Sequence, residues 1–143
     1  MTNLPPLPAH PVHPVAINAR TASRVLEIEF DNGKHFEISF ELMRVYSPSA
    51  EVRGHGEGQE TLQTGKRMVS ITGIEPVGNY AIKPLFTDDH STGIFTWAYL
   101  YWLGEHHALL WQDYMVRLQA AGFAGDSGRD VQPAPKQGSS CGK

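Results

Sequence analysis

Between two stretches of alternating apolar and polar residues the chain places Asp31-Asn32-Gly33-Lys34. Ahead of it runs Val25-Leu26-Glu27-Ile28-Glu29-Phe30, with Leu26, Ile28 and Phe30 on one face and Glu27 and Glu29 on the other. Behind it, residues 35–40 repeat the alternation through Phe36, Ile38 and Phe40. Successive strand side chains point to opposite faces, so each run reads as a strand with one buried face. Asn-Gly between two such runs is the strongest short-range hairpin signal, because both residues tolerate the left-handed backbone of a tight turn. The chain is thus committed to an antiparallel hairpin, and its later segments must cover the apolar face.

Residues 41–46 read as a short helix, stopped by Ser47-Pro48 because the residue before proline avoids the α region. Residues 47–67 are polar, Gly-rich and without period, which predicts a long loop, and such loops are either functional or disordered. A second strand pair is expected at 68–72 and 80–86, joined across Glu75-Pro76-Val77-Gly78-Asn79. Pro84 cannot donate to a ladder, so its strand is an edge there or carries a bulge. Past residues 88–92 the pattern turns helical. Ile94, Trp97, Leu100 and Tyr101 share a face, with Thr92 as N-cap and Gly104 as stop. A further helix over 105–121 carries the stripe Leu110, Tyr114 and Leu118, flanked by Trp111 and Met115 and ended by Gly122. The resulting fold class is α+β: two β-hairpins in an antiparallel or mixed sheet packed against C-terminal helices. Residues 1–14 hold five of the ten prolines and predict a disordered arm. Residues 15–122 read as one domain, and 123–143, rich in Gly, Ser, Pro and Gln, as a disordered tail.

Twelve Lys and Arg against 15 Asp and Glu give a formal charge of −3. A general nucleic-acid binder carries a basic excess to neutralise phosphates, so nucleic acid is not an expected partner. The single cysteine, Cys141, can form no intramolecular disulfide and belongs to no zinc cluster. No apolar run is long enough to cross a bilayer, and the N-terminal stretch lacks the basic region and apolar core of a signal peptide. The expectation is a soluble cytoplasmic protein without a membrane partner.

Several motifs, taken in order, resemble the small domain at the N-terminus of γ-butyrobetaine hydroxylase and trimethyllysine hydroxylase, which occurs in bacteria as a stand-alone domain of unknown function, DUF971. They begin with Asp31-Asn32-Gly33, then Leu42-Met43-Arg44 ahead of Ser47-Pro48-Ser49-Ala50-Glu51. They continue with Ile74-Glu75-Pro76-Val77-Gly78-Asn79-Tyr80-Ala81 and end with Phe86-x-Asp88-x-His90-x-Thr92-Gly93-Ile94-Phe95-x-Trp97-x-Tyr99-Leu100. The resemblance spans roughly residues 12–105. In the hydroxylases a version of this domain holds a structural zinc through a Cys-x-Cys-x-x-Cys cluster and a later His. The resemblance puts that cluster on Ser47, Ser49 and Val52, and the later His on His90. With all three thiolates absent a lone imidazole cannot close a tetrahedral site, so no structural zinc is expected. Asp88-Asp89-His90 stands where the family usually reads Asp-Gly-His. The oxygenase chemistry of those hydroxylases belongs to a separate jelly-roll domain, and after Leu103 this chain offers one helix and a tail, so the resemblance implies no catalysis. Similar domains end P-loop ATPases linked to iron–sulfur cluster assembly, which implies an accessory role in metal or cluster handling as the alternative.

The expected function is a non-catalytic binding or adaptor module recognising a protein partner or small ligand. The candidate surface combines Arg44, Gly78, Asn79, Tyr80, Asp88, His90, Thr92, Gly93 and Trp97. Arg44 would supply charge-assisted hydrogen bonds, the Gly-Asn turn a close backbone approach, and Tyr80 and Trp97 apolar anchors. Tyr99 and Trp102 would point away from the core, toward a partner. The rival is an iron-binding protein, with Asp88, His90 and His106 or His107 as a 2-His-1-carboxylate set. A third reading, a hydrolase with Ser47 or Ser49 as nucleophile and His90 as base, lacks an acidic orienter. Asp88 and Asp89 can instead cap the next helix. Gly54-His55-Gly56-Glu57-Gly58 lacks the Lys and the strand-to-helix setting of a phosphate loop.

Overall fold

The structure, a computed structural model, describes residues 5–8, 11–48, 62–63, 65–88, 90–91 and 93–122. Ser49, Val52, residues 54–58, Asp89, Thr92, Cys141 and the 123–143 tail lie outside the described residues. In chain order the elements are β1 (Pro14–Arg20), β2 (Val25–Phe30), β3 (His35–Ser39), α1 (Phe40–Val45), β4 (Ile71–Val77), β5 (Ala81–Phe86), β6 (Phe95–Thr96), α2 (Trp97–Glu105) and α3 (His107–Ala120).

The α+β class holds, with the strands divided between two antiparallel sheets, β1-β2-β3 and β4-β5-β6. The first hairpin has the register that its alternation demands: Leu26 faces Ile38 and Ile28 faces Phe36. Its turn is a three-residue loop closed by Gly33 N–H donating to Phe30 O at 3.0 Å and Phe30 N–H to Lys34 O at 2.8 Å. Gly33 takes φ +86°, the left-handed position of that loop type, and Asn32 Oδ1 accepts from Lys34 N–H. β3 runs without a break into α1, which carries the chain off the sheet. The outer strand β1 is not legible in the sequence because Pro14, Val15, Ala16 and Ile17 are apolar in succession, so no period of two marks it. Packing also reaches further toward the N-terminus than Val15, since Val12 is buried in the core.

The second pair is longer on its first side than expected. β4 continues through Glu75 and Pro76 to Val77, so the turn shrinks to residues 78–80. β6 pairs only with Ala81 and Ile82, leaving Pro84 where β5 has β4 alone beside it among the described residues. Phe95 and Thr96, expected within the helix, are strand; α2 starts at Trp97, with Thr96 rather than Thr92 as N-cap, its Oγ1 accepting from Tyr99 N–H. Ile94 is therefore exposed and off the helical face it was expected to share, while Phe95 is fully buried.

Gly104 does not stop α2 but lies inside it, against the first sheet. Tyr101, one turn earlier, stacks edge-on with Phe30 and Phe36 at 5.1 and 5.2 Å between ring centroids. A Cβ on Gly104 would sit 2.4 Å from Phe36 Cγ, so only glycine lets the helix approach β3 this closely. In α3, Leu110, Tyr114 and Leu118 are all fully buried, as their spacing requires. At an ordinary exposed helix position Gly→Ala stabilises by about 1 kcal/mol. Here Gly104→Ala is expected to destabilise by about 2–3 kcal/mol through overpacking, read as a lower urea midpoint with unchanged slope. A midpoint that rises would show that α2 does not rest on Phe36.

Candidate functional site

The segment from Arg44 to Ser47 leaves α1 with three of its side chains already engaged. Arg44, on the last turn of a helix whose six residues are all buried, donates from Nε to Asp88 Oδ2 at 2.9 Å. Lys66 Nζ reaches the same oxygen at 2.7 Å. Asp88 Oδ1 accepts from His90 N–H, the local turn that an aspartate side chain makes with the backbone two residues on. Burial pushes the Asp88 carboxyl up, but the Lys66 hydrogen bond and the Arg44 charge outweigh it and hold the group below its ordinary value. Asp88 is thus not the helix cap that its position suggests; it is a charged knot joining α1, residue 66 and its own loop. Arg44 Nη1 is buried and has no acceptor among the described residues.

At Ser47, next after Tyr46, the loop is fastened again. Ser47 Oγ lies 2.9 Å from His90 Nε2, and both residues are buried. Phe86 N–H donates to His90 O at 3.0 Å, closing the loop on the end of β5. Gly93 packs directly against this pair: a Cβ there would stand 2.2 Å from Ser47 Oγ and 3.2 Å from Phe95 Cε1. Glycine at 93 is thus a condition of the Ser47–His90 contact.

The pairing of Ser47 with His90 has the spacing of a nucleophile and base, but not the access to solvent that a hydrolase centre uses. Ser47 has no solvent exposure, and the Asp88 carboxylate binds Arg44, Lys66 and the His90 backbone. Nor do the residues suit the zinc of the resembled hydroxylases: position 47 offers a hydroxyl already bonded to His90, and Val52 offers no donor atom. Among the described residues no group of three or more His, Cys, Asp or Glu side chains is placed to hold a metal ion. His106 stands at the α2–α3 junction with Glu105 as its near neighbour, and burial pushes His107 down while its Nε2 accepts from Ser39 N–H.

The nine candidate surface residues divide into two groups. Arg44, His90 and Gly93, all buried, form the fastening just described together with the exposed Asp88, and Thr92 lies outside the described residues. Gly78, Asn79, Tyr80 and Trp97 gather at the opposite end of β5, whose six residues span about 20 Å. There Trp97 Nε1–H donates to Asn79 O at 2.9 Å and Trp97 N–H to Tyr80 O at 3.2 Å. Gly78, at φ +55°, lies under the Tyr80 ring, its absent Cβ only 3.1 Å from two ring carbons. Tyr80 is 53 % exposed. Tyr99 and Trp102, expected at a partner surface, are buried: the Tyr99 hydroxyl donates to Tyr46 O and Trp102 packs on Tyr46 and Tyr99. The helix twist that separates them from Trp97 turns them inward, toward Tyr46 at the end of α1 and, for Trp102, the carbonyl of Pro5.

Sequence reasoning passes over Tyr46 and Lys66. Tyr46 ends a helical run without a period of its own, and Lys66 sits in an aperiodic loop, so neither carries a signal. For the fastening, Ser47→Ala is expected to cost about 1–3 kcal/mol by taking the hydroxyl from buried His90. Gly93→Ala is expected to cost about 1–3 kcal/mol by overpacking. In the double variant the costs should fall short of their sum by about 1 kcal/mol or more, since the clash is with the deleted oxygen. Simple additivity in denaturant unfolding would contradict the contact.

No curated protein matches the chain. Two NMR solution structures are similar to it: one is 42% identical, with a TM-score of 0.72, covering 93% of this chain and 98% of its own. The other is 41% identical with a TM-score of 0.70, covering 86% and 94%. A crystal structure of a protein of unknown function of the DUF971 family from Acidithiobacillus ferrooxidans is 39% identical, with a TM-score of 0.52, covering 62% of this chain and 88% of that one. Residues 17–101, well over half the chain, match the family described as gamma-butyrobetaine hydroxylase-like, N-terminal. The chain belongs to the gamma-butyrobetaine hydroxylase-like N-terminal family.

Proposed function

We propose that this protein is a non-catalytic binding module that recognises a protein partner through the turn at Tyr80, without a bound metal. The observation that carries this reading is the exposed Tyr80 ring on a turn fixed from three directions. Gly78 lies under the ring, Trp97 N–H holds the Tyr80 carbonyl, and the Trp97 indole holds Asn79. An aromatic side chain of that size, exposed on a braced turn, gives a partner a large apolar contact at little cost in conformational entropy. The residues with catalytic or metal-binding potential point the other way. Arg44 and Lys66 are engaged with Asp88, and buried Ser47 with buried His90, which suits a scaffold that positions a loop better than a reaction centre. Among the described residues no helix is long and apolar enough to cross a membrane.

Tyr80→Ala removes the anchor and leaves the Trp97 hydrogen bonds, which end on backbone carbonyls, in place. Capture from lysate with the wild-type chain and this variant is expected to show a retained protein lost, or weakened at least tenfold, with the variant at unchanged Tm. Equal retention by both would remove this face from consideration. Arg44 and His90 are unsuitable probes of the surface, because alanine at either disturbs the interior.

A further inference from the structure

The side of α2 turned away from Trp97 carries a contact to the N-terminal segment. Trp102, roughly 140° around the helix from Trp97 at about 100° per residue, donates from Nε1 to the carbonyl of Pro5 at 2.8 Å. The indole stands against the rings of Tyr99 and Tyr46, at 5.3 and 6.5 Å between centroids. Of the segment lying on it, Pro5 and Pro8 are half-buried while Pro6 and Leu7 are exposed. That inward period of three is the period of a polyproline II helix, whose third residue returns to the same face about 9 Å along. Proline fixes φ near the polyproline value, and the residue before each proline is held to the extended region, so Pro5-Pro6-Leu7-Pro8 is biased to this conformation before it docks. A polyproline strand uses none of its carbonyls internally, and an indole N–H beside aromatic rings is the complementary donor.

We propose that the face of α2 around Trp102 is a docking groove for a proline-rich extended peptide. Residues 5–8 of this chain occupy it in cis, and a proline-rich segment of a partner takes their place when the arm lifts. The tether gives the cis segment an effective concentration on the order of millimolar, so a competing segment must itself be delivered by a partner held nearby. The groove is distinct from the Tyr80 turn, and neither depends on the other.

The test tracks the Trp102 indole N–H in the full-length chain by NMR, its signal identified by loss in Trp102→Phe. In the double variant Pro5→Gly/Pro8→Gly the signal is expected to shift and its proton to exchange about tenfold faster, the loss of one hydrogen bond. A synthetic peptide of residues 1–14 should return the signal to its wild-type position in a saturable titration, whereas the same peptide with glycine at both positions should not. An unmoved signal in the variant would overturn the seating of the arm. A moved signal that the peptide fails to restore would overturn the groove as a docking site and leave a covalent strap. A wild-type signal that moves on dilution together with a fall in particle mass would put a second copy's arm there, and would overturn the cis placement.

Discussion

The hydroxyl of Tyr46, donating to the carboxylate of Asp113 in the buried space between α1 and α3, is the contact on which the rest of this structure depends. The same oxygen lies 3.0 Å from Leu110 O, and the Arg117 guanidinium sits 5.7 Å from the ring centroid. Burial pushes the Tyr46 phenol up, and the Asp113 charge pushes it further, so the group stays a donor at any ordinary pH. Asp113 is itself buried and needs that donor, since an uncompensated buried carboxylate is costly. Tyr46 also reaches α2 from its other end, where its carbonyl accepts from the Tyr99 hydroxyl. One residue therefore joins all three helices.

Its neighbours extend the same junction to the second sheet. Arg44 ends on Asp88 and Ser47 on His90, so three residues within one four-residue stretch tie α1 to α2, α3 and the loop after β5. Buried polar networks of this kind contribute less to net stability than to uniqueness, because each member is costly in any arrangement that leaves it unmatched. The loop that family resemblance would have bound with a metal is held here by a serine–histidine hydrogen bond, a glycine that permits it and a doubly engaged aspartate. That arrangement engages these polar residues with one another and leaves the Tyr80 ring exposed at the other end of β5.

Much of the fold is legible in the sequence because its signals are local. Alternation through Leu26, Ile28 and Phe30 marks the first hairpin, and Asn32-Gly33 its turn. The spacing of Leu110, Tyr114 and Leu118 marks the buried stripe of α3. What local pattern cannot supply is decided by tertiary contacts. Gly104 looks like a helix stop to any rule based on propensity, yet it is retained for the approach of Phe36. Phe95 belongs to a two-residue strand that exists only because β5 is beside it. The candidate site divides in the same way. Arg44, Asp88, His90 and Gly93 do form a group, but a motif says nothing of depth: Arg44, His90 and Gly93 are buried, and only Asp88 reaches the surface. Tyr80 and Trp97 meet because the Gly-Asn turn and the start of α2 both sit at the near end of β5.

The most direct test of the Tyr46 junction is native-state hydrogen exchange on Tyr46→Phe, which removes one oxygen and leaves packing intact. If residues 44–47 couple the helices to the loop, the amides of α3 and the Phe86 amide, which is bonded to His90 O, should lose protection together, each by about tenfold. Loss confined to α3, with Phe86 protected as in the wild type, would show that the helices and the loop open independently and would contradict the account.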